Sequence, residues 1–169
     1  MVRSAPLVLL LAITALSAAA AETEAQRRKL GERYARAFSD PARSVHVAWN
    51  DAACAFVETT IETGWLQVST TRVTHIPASR TEATPTDRGV RAGHIDVVFR
   101  CGAGAEHCIV RTHQQGTIVI GTDRLTEHTM KMSGASVDLA KLKVELDELR
   151  LHCIRPVDDG GAPSTDGGA

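Results

Sequence analysis

The chain has 169 residues, 19 basic and 20 acidic side chains and a formal net charge of −1, a size that suits one domain with an ordinary core. This balance excludes the clearly basic domain that a nucleic-acid partner requires. With only three Phe, two Trp and one Tyr, the stacking platforms of single-stranded nucleic-acid and carbohydrate sites are also disfavoured.

The first residues read as an address. Met1-Val2-Arg3-Ser4 is a short basic start, residues 7–16 are uncharged and strongly apolar, and Ala19 and Ala21 form a small-residue cleavage pattern before Glu22. A bilayer-spanning helix needs roughly 20 apolar residues, about twice this run. Residues 1–21 are therefore expected to be a signal peptide, and residues 22–155 a single periplasmic or secreted domain. No integral membrane segment is expected after cleavage. No cysteine lies near the cleavage point, which argues against a lipoprotein, and 15 Arg against 4 Lys fits a GC-rich bacterial genome. Removing the leader, and Arg3 with it, leaves 18 basic against 20 acidic groups.

The mature chain opens on a helix over residues 24–39, with Leu30, Tyr34, Ala37 and Phe38 on one face. Glu24 with Arg28 and Glu32 with Arg36 are favourable i,i+4 pairs, and Pro41 stops the helix. Strands are expected across residues 44–132. Val45, Val47 and Trp49 alternate with His46 and Ala48, Asn50-Asp51 is a turn, and residues 54–61 and 65–76 continue as strands. Residues 77–89, polar and with two prolines, read as an exposed loop. Ile95, Val97, Phe99 and Cys101 then alternate inward, and after the flexible turn 102–107 Cys108, Val110 and Thr112 continue an inward face. Pairing these runs as a hairpin sets Cys101 against Cys108, Phe99 against Val110 and Asp96 against His113. Residues 117–120 and 125–132 add two strands. A helix over residues 136–154, N-capped by Ser136, carries Leu139, Leu142, Leu146, Leu149 and Cys153 as one apolar stripe. Residues 156–169 are nearly all Gly, Pro, Asp, Ser, Thr and Ala and are expected to be a disordered tail.

The fold class is thus α+β: an N-terminal helix and a strongly curved antiparallel sheet or partial barrel of about six or seven strands, closed by a C-terminal helix. This order, over residues 44–154, resembles the pleckstrin-homology-like architecture. The resemblance implies a binding module, since such domains often take phosphoinositides or peptides. An exported protein does not meet phosphoinositides, and no compact basic loop stands ready for one.

Four cysteines in an exported chain imply two disulfides. The hairpin register assigns Cys101–Cys108, and elimination leaves Cys54–Cys153. The spacing C-x6-C argues for a structural rather than a redox-active pair. His107 and His113, near the same cysteines, are the metal-ligand candidates, but their spacing matches no familiar zinc pattern and no cofactor is expected. The Asp96–His113 pair is the catalytic candidate, because a carboxylate beside an imidazole fixes its tautomer and raises its basicity. Arg27, Arg28, Lys29, Arg33 and Arg36, interleaved with acids, read as a solvated helix face. The expected function is a small binding or interaction module for an unknown protein or small-molecule ligand of the cell envelope. The alternative is a metal-binding or hydrolytic enzyme using His and Asp residues near the 94–113 hairpin. An exposed Leu30–Tyr34–Phe38 stripe would instead mark a docking helix.

Overall fold

The structure is a computed structural model that describes residues 6–64, 68–88, 93–133 and 137–154, with side chains from Glu22 onward. Helix α1 (Pro6–Phe38) is followed by strands β1 (Val45–Asn50), β2 (Ala55–Thr63), β3 (Ser69–Pro77), β4 (Thr81–Thr86), β5 (His94–Cys101), β6 (Ile109–Gln115), β7 (Ile118–Leu125) and β8 (Glu127–Ser133), then helix α2 (Leu139–Cys153). All pairings are antiparallel and form two sheets, ordered β1-β2-β3-β6-β7 and β4-β5-β8. Neither closes into a barrel.

Three phenylalanines hold the layers together. Phe38 of α1, Phe56 of the five-stranded sheet and Phe99 of the three-stranded sheet meet edge to face with centroids 5.7, 6.0 and 5.8 Å apart. Each pair contributes about 0.5–1.5 kcal/mol beyond its buried area. Trp49 meets Phe56 edge to face at 5.0 Å. Leu142, Leu146, Leu149 and Cys153 of α2 are buried against this cluster or beside it, so the Leu stripe packs into the core. Tyr34 and Phe38 of α1 are buried and Leu30 is half-buried against them, which removes the docking-helix reading.

Several expectations are corrected. The region read as a loop contains β4, and Pro85 lies within it. An edge strand tolerates proline because one side of its backbone has no ladder partner, and β4 is such an edge. The 94–113 hairpin does not form: β5 lies between β4 and β8, and β6 lies between β3 and β7. The face of β6 is accordingly reversed, with Ile109 fully buried and Val110 and Thr112 half-exposed. Alternation says which residues share a face, not which strand lies alongside or which face is covered. The single curved sheet or partial barrel becomes two sheets of eight strands. Asp138 caps α2, accepting from the backbone N–H groups of Ala140 at 2.9 Å and Lys141 at 3.1 Å. Ser136, Trp65 and the tail 156–169 lie outside the described residues.

The cysteines join as Cys54–Cys153 and Cys101–Cys108, each with a Cα separation of 5.7 Å. The second bond ties the end of β5 to the residue before β6 and so clips one sheet to the other. In the chain-entropy model the short loop is worth about 2.5 kcal/mol and the long one about 4.7 kcal/mol. A 3-10 turn, Ala78–Arg80, sits between the two bridges. Its Ala78 N–H donates to the Cys54 carbonyl, and its Arg80 carbonyl accepts from the Gly102 N–H, both at 2.9 Å.

Gly31 gives a sharp check on how α1 seats. A Cβ there would fall inside the Trp49 indole. Glycine to alanine within an exposed helix normally stabilises by about 1 kcal/mol. Gly31→Ala should reverse that sign and destabilise by about 1–3 kcal/mol, as overpacking does. Urea unfolding measures it, and a stabilised variant would show that α1 does not rest on Trp49.

Candidate functional site

The inner face of the five-stranded sheet changes character along its strands. At one end Trp49, Phe56, Ile76, Ile109 and Leu125 form the apolar floor under the second sheet. The next register row is Val47, Glu58, Thr74, Arg111 and Asp123, and the one after it is Val45, Thr60, Arg72, His113 and Gly121. This polar half is where ionisable groups gather.

At its centre Glu58, on β2, meets Nε2 of His128, which comes from β8 in the other sheet. The Nδ1 atom of His128 lies 2.9 Å from Nη2 of Arg111, whose Nε donates to the Thr74 hydroxyl at 3.3 Å. A guanidinium only donates, so Nδ1 accepts and the imidazole proton sits on Nε2, facing the carboxylate. Both nitrogens of His128 are thus engaged, leaving no lone pair for general-base work. The side chains of Glu58 and His128 are 12% and 11% exposed, so the link is a polar bridge between sheets in a poorly hydrated place. Glu58 also reaches a cleft of about 240 Å³ lined by Phe38, Asp40, Arg43, Val45, Thr129 and Lys131.

The sequence candidates separate. Asp96, in the three-stranded sheet, faces Thr86 and Lys131 across its neighbours and has Nε2 of His94 at 3.2 Å from its Oδ1. His113, in the five-stranded sheet, lies 2.8 Å from Oδ2 of Asp123. A carboxylate does stand beside His113, but it comes from β7 because β7, not β5, is the true neighbour of β6. His107 sits in the crossover before β6 with φ of 53°, whereas His113 lies within β6. Among the described residues no three His, Cys, Asp or Glu side chains are grouped to hold a metal ion. Sequence reasoning missed Glu58, Arg111 and His128, whose meeting depends on two sheets and on separations of up to 70 residues.

The basic residues of α1 are largely paired. Arg27 grips Asp51 with two hydrogen bonds of 3.0 and 2.9 Å, and Trp49 Nε1 donates to the same carboxylate at 3.1 Å. Those bonds, Arg27 first, hold the Asp51 carboxyl below its usual range. Arg28 lies beside Glu32 at 3.5 Å, rather than Glu24 as its spacing had implied. Arg33 and the Tyr34 hydroxyl both contact Glu145 of α2. Burial, and then the bond to Glu145, push the Tyr34 phenol up to about 12, while that bond and Arg33 hold Glu145 low.

The outer face of the five-stranded sheet is a second candidate. The helices and the second sheet pack on the opposite side. Its central row reads His46, Thr59, Val73, Thr112 and Thr122 from edge to edge, flanked by Val57 and Val110 in the next row. Among the described residues the ionisable groups on this face are His46, His75 and Arg124, and no acidic side chain lies on it. A solvated sheet face normally alternates polar and charged residues outward. At one margin the free edge strand β7 exposes Ile118, Val119 and Ile120 by 68%, 55% and 57%. Edges without protective charge are ready templates for association.

Comparison with protein-family models, with curated proteins and with solved structures finds no match for this chain.

Tyr34 is the chain's single tyrosine, so its phenol can be titrated directly by absorbance. The midpoint should fall near 12 instead of the ordinary value of about 10, and Glu145→Gln should move it down. The raised value makes this bond stabilising below about pH 10, with the contribution lost as pH rises through about 12. The lowered Glu145 and Asp51 act oppositely, contributing above the carboxylate range and losing that contribution as pH falls through it. A midpoint at the ordinary value would show that α1 and α2 are not joined here. For the inter-sheet bridge, Glu58→Ala should cost about 1–3 kcal/mol by leaving the imidazole N–H unpaired. Denaturant melts unchanged within error would reduce the bridge to a surface contact.

Proposed function

We propose that this chain is an exported interaction module, periplasmic or secreted, that works by surface contact through the outer face of its five-stranded sheet. The observation that carries this reading is that face: β-branched and hydroxyl side chains, no carboxylate among the described residues, and an apolar free edge beside it. Export rests on the leader pattern, and the two disulfides are compatible with an oxidising compartment. The described ties of α1 to the domain, from Gln26 to Glu148 onward along the helix, lie beyond Glu22 and survive cleavage before it. The pleckstrin-homology-like expectation contributes only its layout, strands followed by a C-terminal helix, here divided between two sheets.

A hydrolytic reading has one supporting observation, the His113–Asp123 pair, whose Nδ1 makes no hydrogen bond among the described residues. Asp123 is 54% exposed, and none of the clefts described includes His113, so a substrate would find little enclosure there.

Expression in a bacterial host with site-specific photo-crosslinkers tests the contact reading. Intact mass should place the N-terminus of the exported form at Glu22. Crosslinkers at Val73 and Thr112 should give adducts, whereas one at Val144 on the exposed side of α2 should give none. Adducts confined to Lys131 at the cleft would move the function there.

A further inference from the structure

We infer that the occupant of the outer face is a second copy of this chain, packed sheet against sheet; this rests on reading that face as a contact surface. Area is the first argument. Five strands at about 4.8 Å spacing and six residues at about 3.3 Å rise span roughly 24 by 20 Å. That is roughly 480 Å² per copy in projection, which suits a weak, reversible contact of less than about 1,200 Å² in total rather than the roughly 800 Å² per partner of a standard interface. The free edge of β7 offers one strand's flank, about a fifth of that width, so edge pairing is the smaller solution.

Charge is the second argument. Among the described residues two copies brought together introduce no carboxylate at this face, and the permanent charge each carries there, Arg124, sits on the outermost strand where it can stay hydrated. A partner chosen by electrostatic complementarity would need a charged field to read, and the centre of this face has none. Shape agrees with both. Val57, Val73, Val110, Thr59 and Thr112 are short, half-exposed and stiff, so they lose little rotamer freedom on burial. Their similar heights suit the spacing of about 10 Å between aligned sheets.

The test is sedimentation of the exported, purified protein from micromolar to hundred-micromolar concentration. A reversible dimer is expected. Val73→Lys puts a cation at the centre of both copies and should weaken it at least about 100-fold, the size of a hot-spot loss. Thr112→Lys is the second variant should the first fail to fold, with circular dichroism as the check on both. Ile118→Lys, on the β7 edge but turned to the opposite side of the sheet, should leave the dimer intact. A monomer at the highest concentration overturns the inference, as does a dimer broken by Ile118→Lys but not by Val73→Lys. The photo-crosslinks separate the two levels. A monomer whose Val73 crosslinks to another protein keeps the contact surface and rejects self-association. A monomer without adducts at the face rejects both.

Discussion

Phe38, Phe56 and Phe99 meet where three otherwise separate layers come together, and the rest of the architecture depends on that meeting. Each comes from a different layer, and each is at most 2% exposed. Without it the three-stranded sheet would keep its disulfide to β6 and its polar bridge through His128, but no shared apolar floor. A small domain has few ways to bury enough surface. In a chain with only six aromatic residues, placing half of them in one mutual contact concentrates the most area-rich side chains where the layers must not separate.

From that contact the sheet surfaces acquire their roles. The three-stranded sheet covers only the apolar end of the inner face. Where the sheets part, buried polar groups must be mutually satisfied, which Glu58, Arg111 and Thr74 of one sheet and His128 of the other accomplish as a chain of hydrogen bonds. An isolated ionised group in that position would be costly, whereas a linked carboxylate, imidazole and guanidinium cancel one another's demand. The outer face is under no such pressure from the fold. Its shortage of charge is not required by packing, and for that reason it is the more informative surface for function.

The covalent bridges reinforce the same geometry. Cys54–Cys153 anchors the end of α2 to the turn before β2, and Cys101–Cys108 anchors one sheet to the other, with the 3-10 turn at Ala78–Arg80 hydrogen-bonded beside both. The apolar stripe of α2 and the edge-to-face phenylalanines belong to the one core that these bridges help to hold.

The class of the fold, the two terminal helices, the inward residues of most strands and the expectation of two disulfides were legible along the chain. Those features follow from local periodicity, capping, turn chemistry and the even cysteine count. The sequence also marked Leu142, Leu146 and Leu149 as core, because a helix exposes its period directly. Which strands lie side by side is set by the packing of whole faces in three dimensions. Asp96 and His113 looked like a pair because two alternating runs can always be folded onto each other, but β5 and β6 belong to different sheets. The Cys101–Cys108 bond was therefore anticipated for a reason that does not hold, since it crosses between sheets rather than closing a hairpin. β4 was hidden by Pro85, which an edge strand accommodates and a central strand does not. The Glu58–His128–Arg111 bridge and the charge-poor outer face were likewise invisible, because neither is a pattern along the chain. Both arise from register between strands distant in sequence, and register is set by the burial of whole faces rather than by any local run of residues.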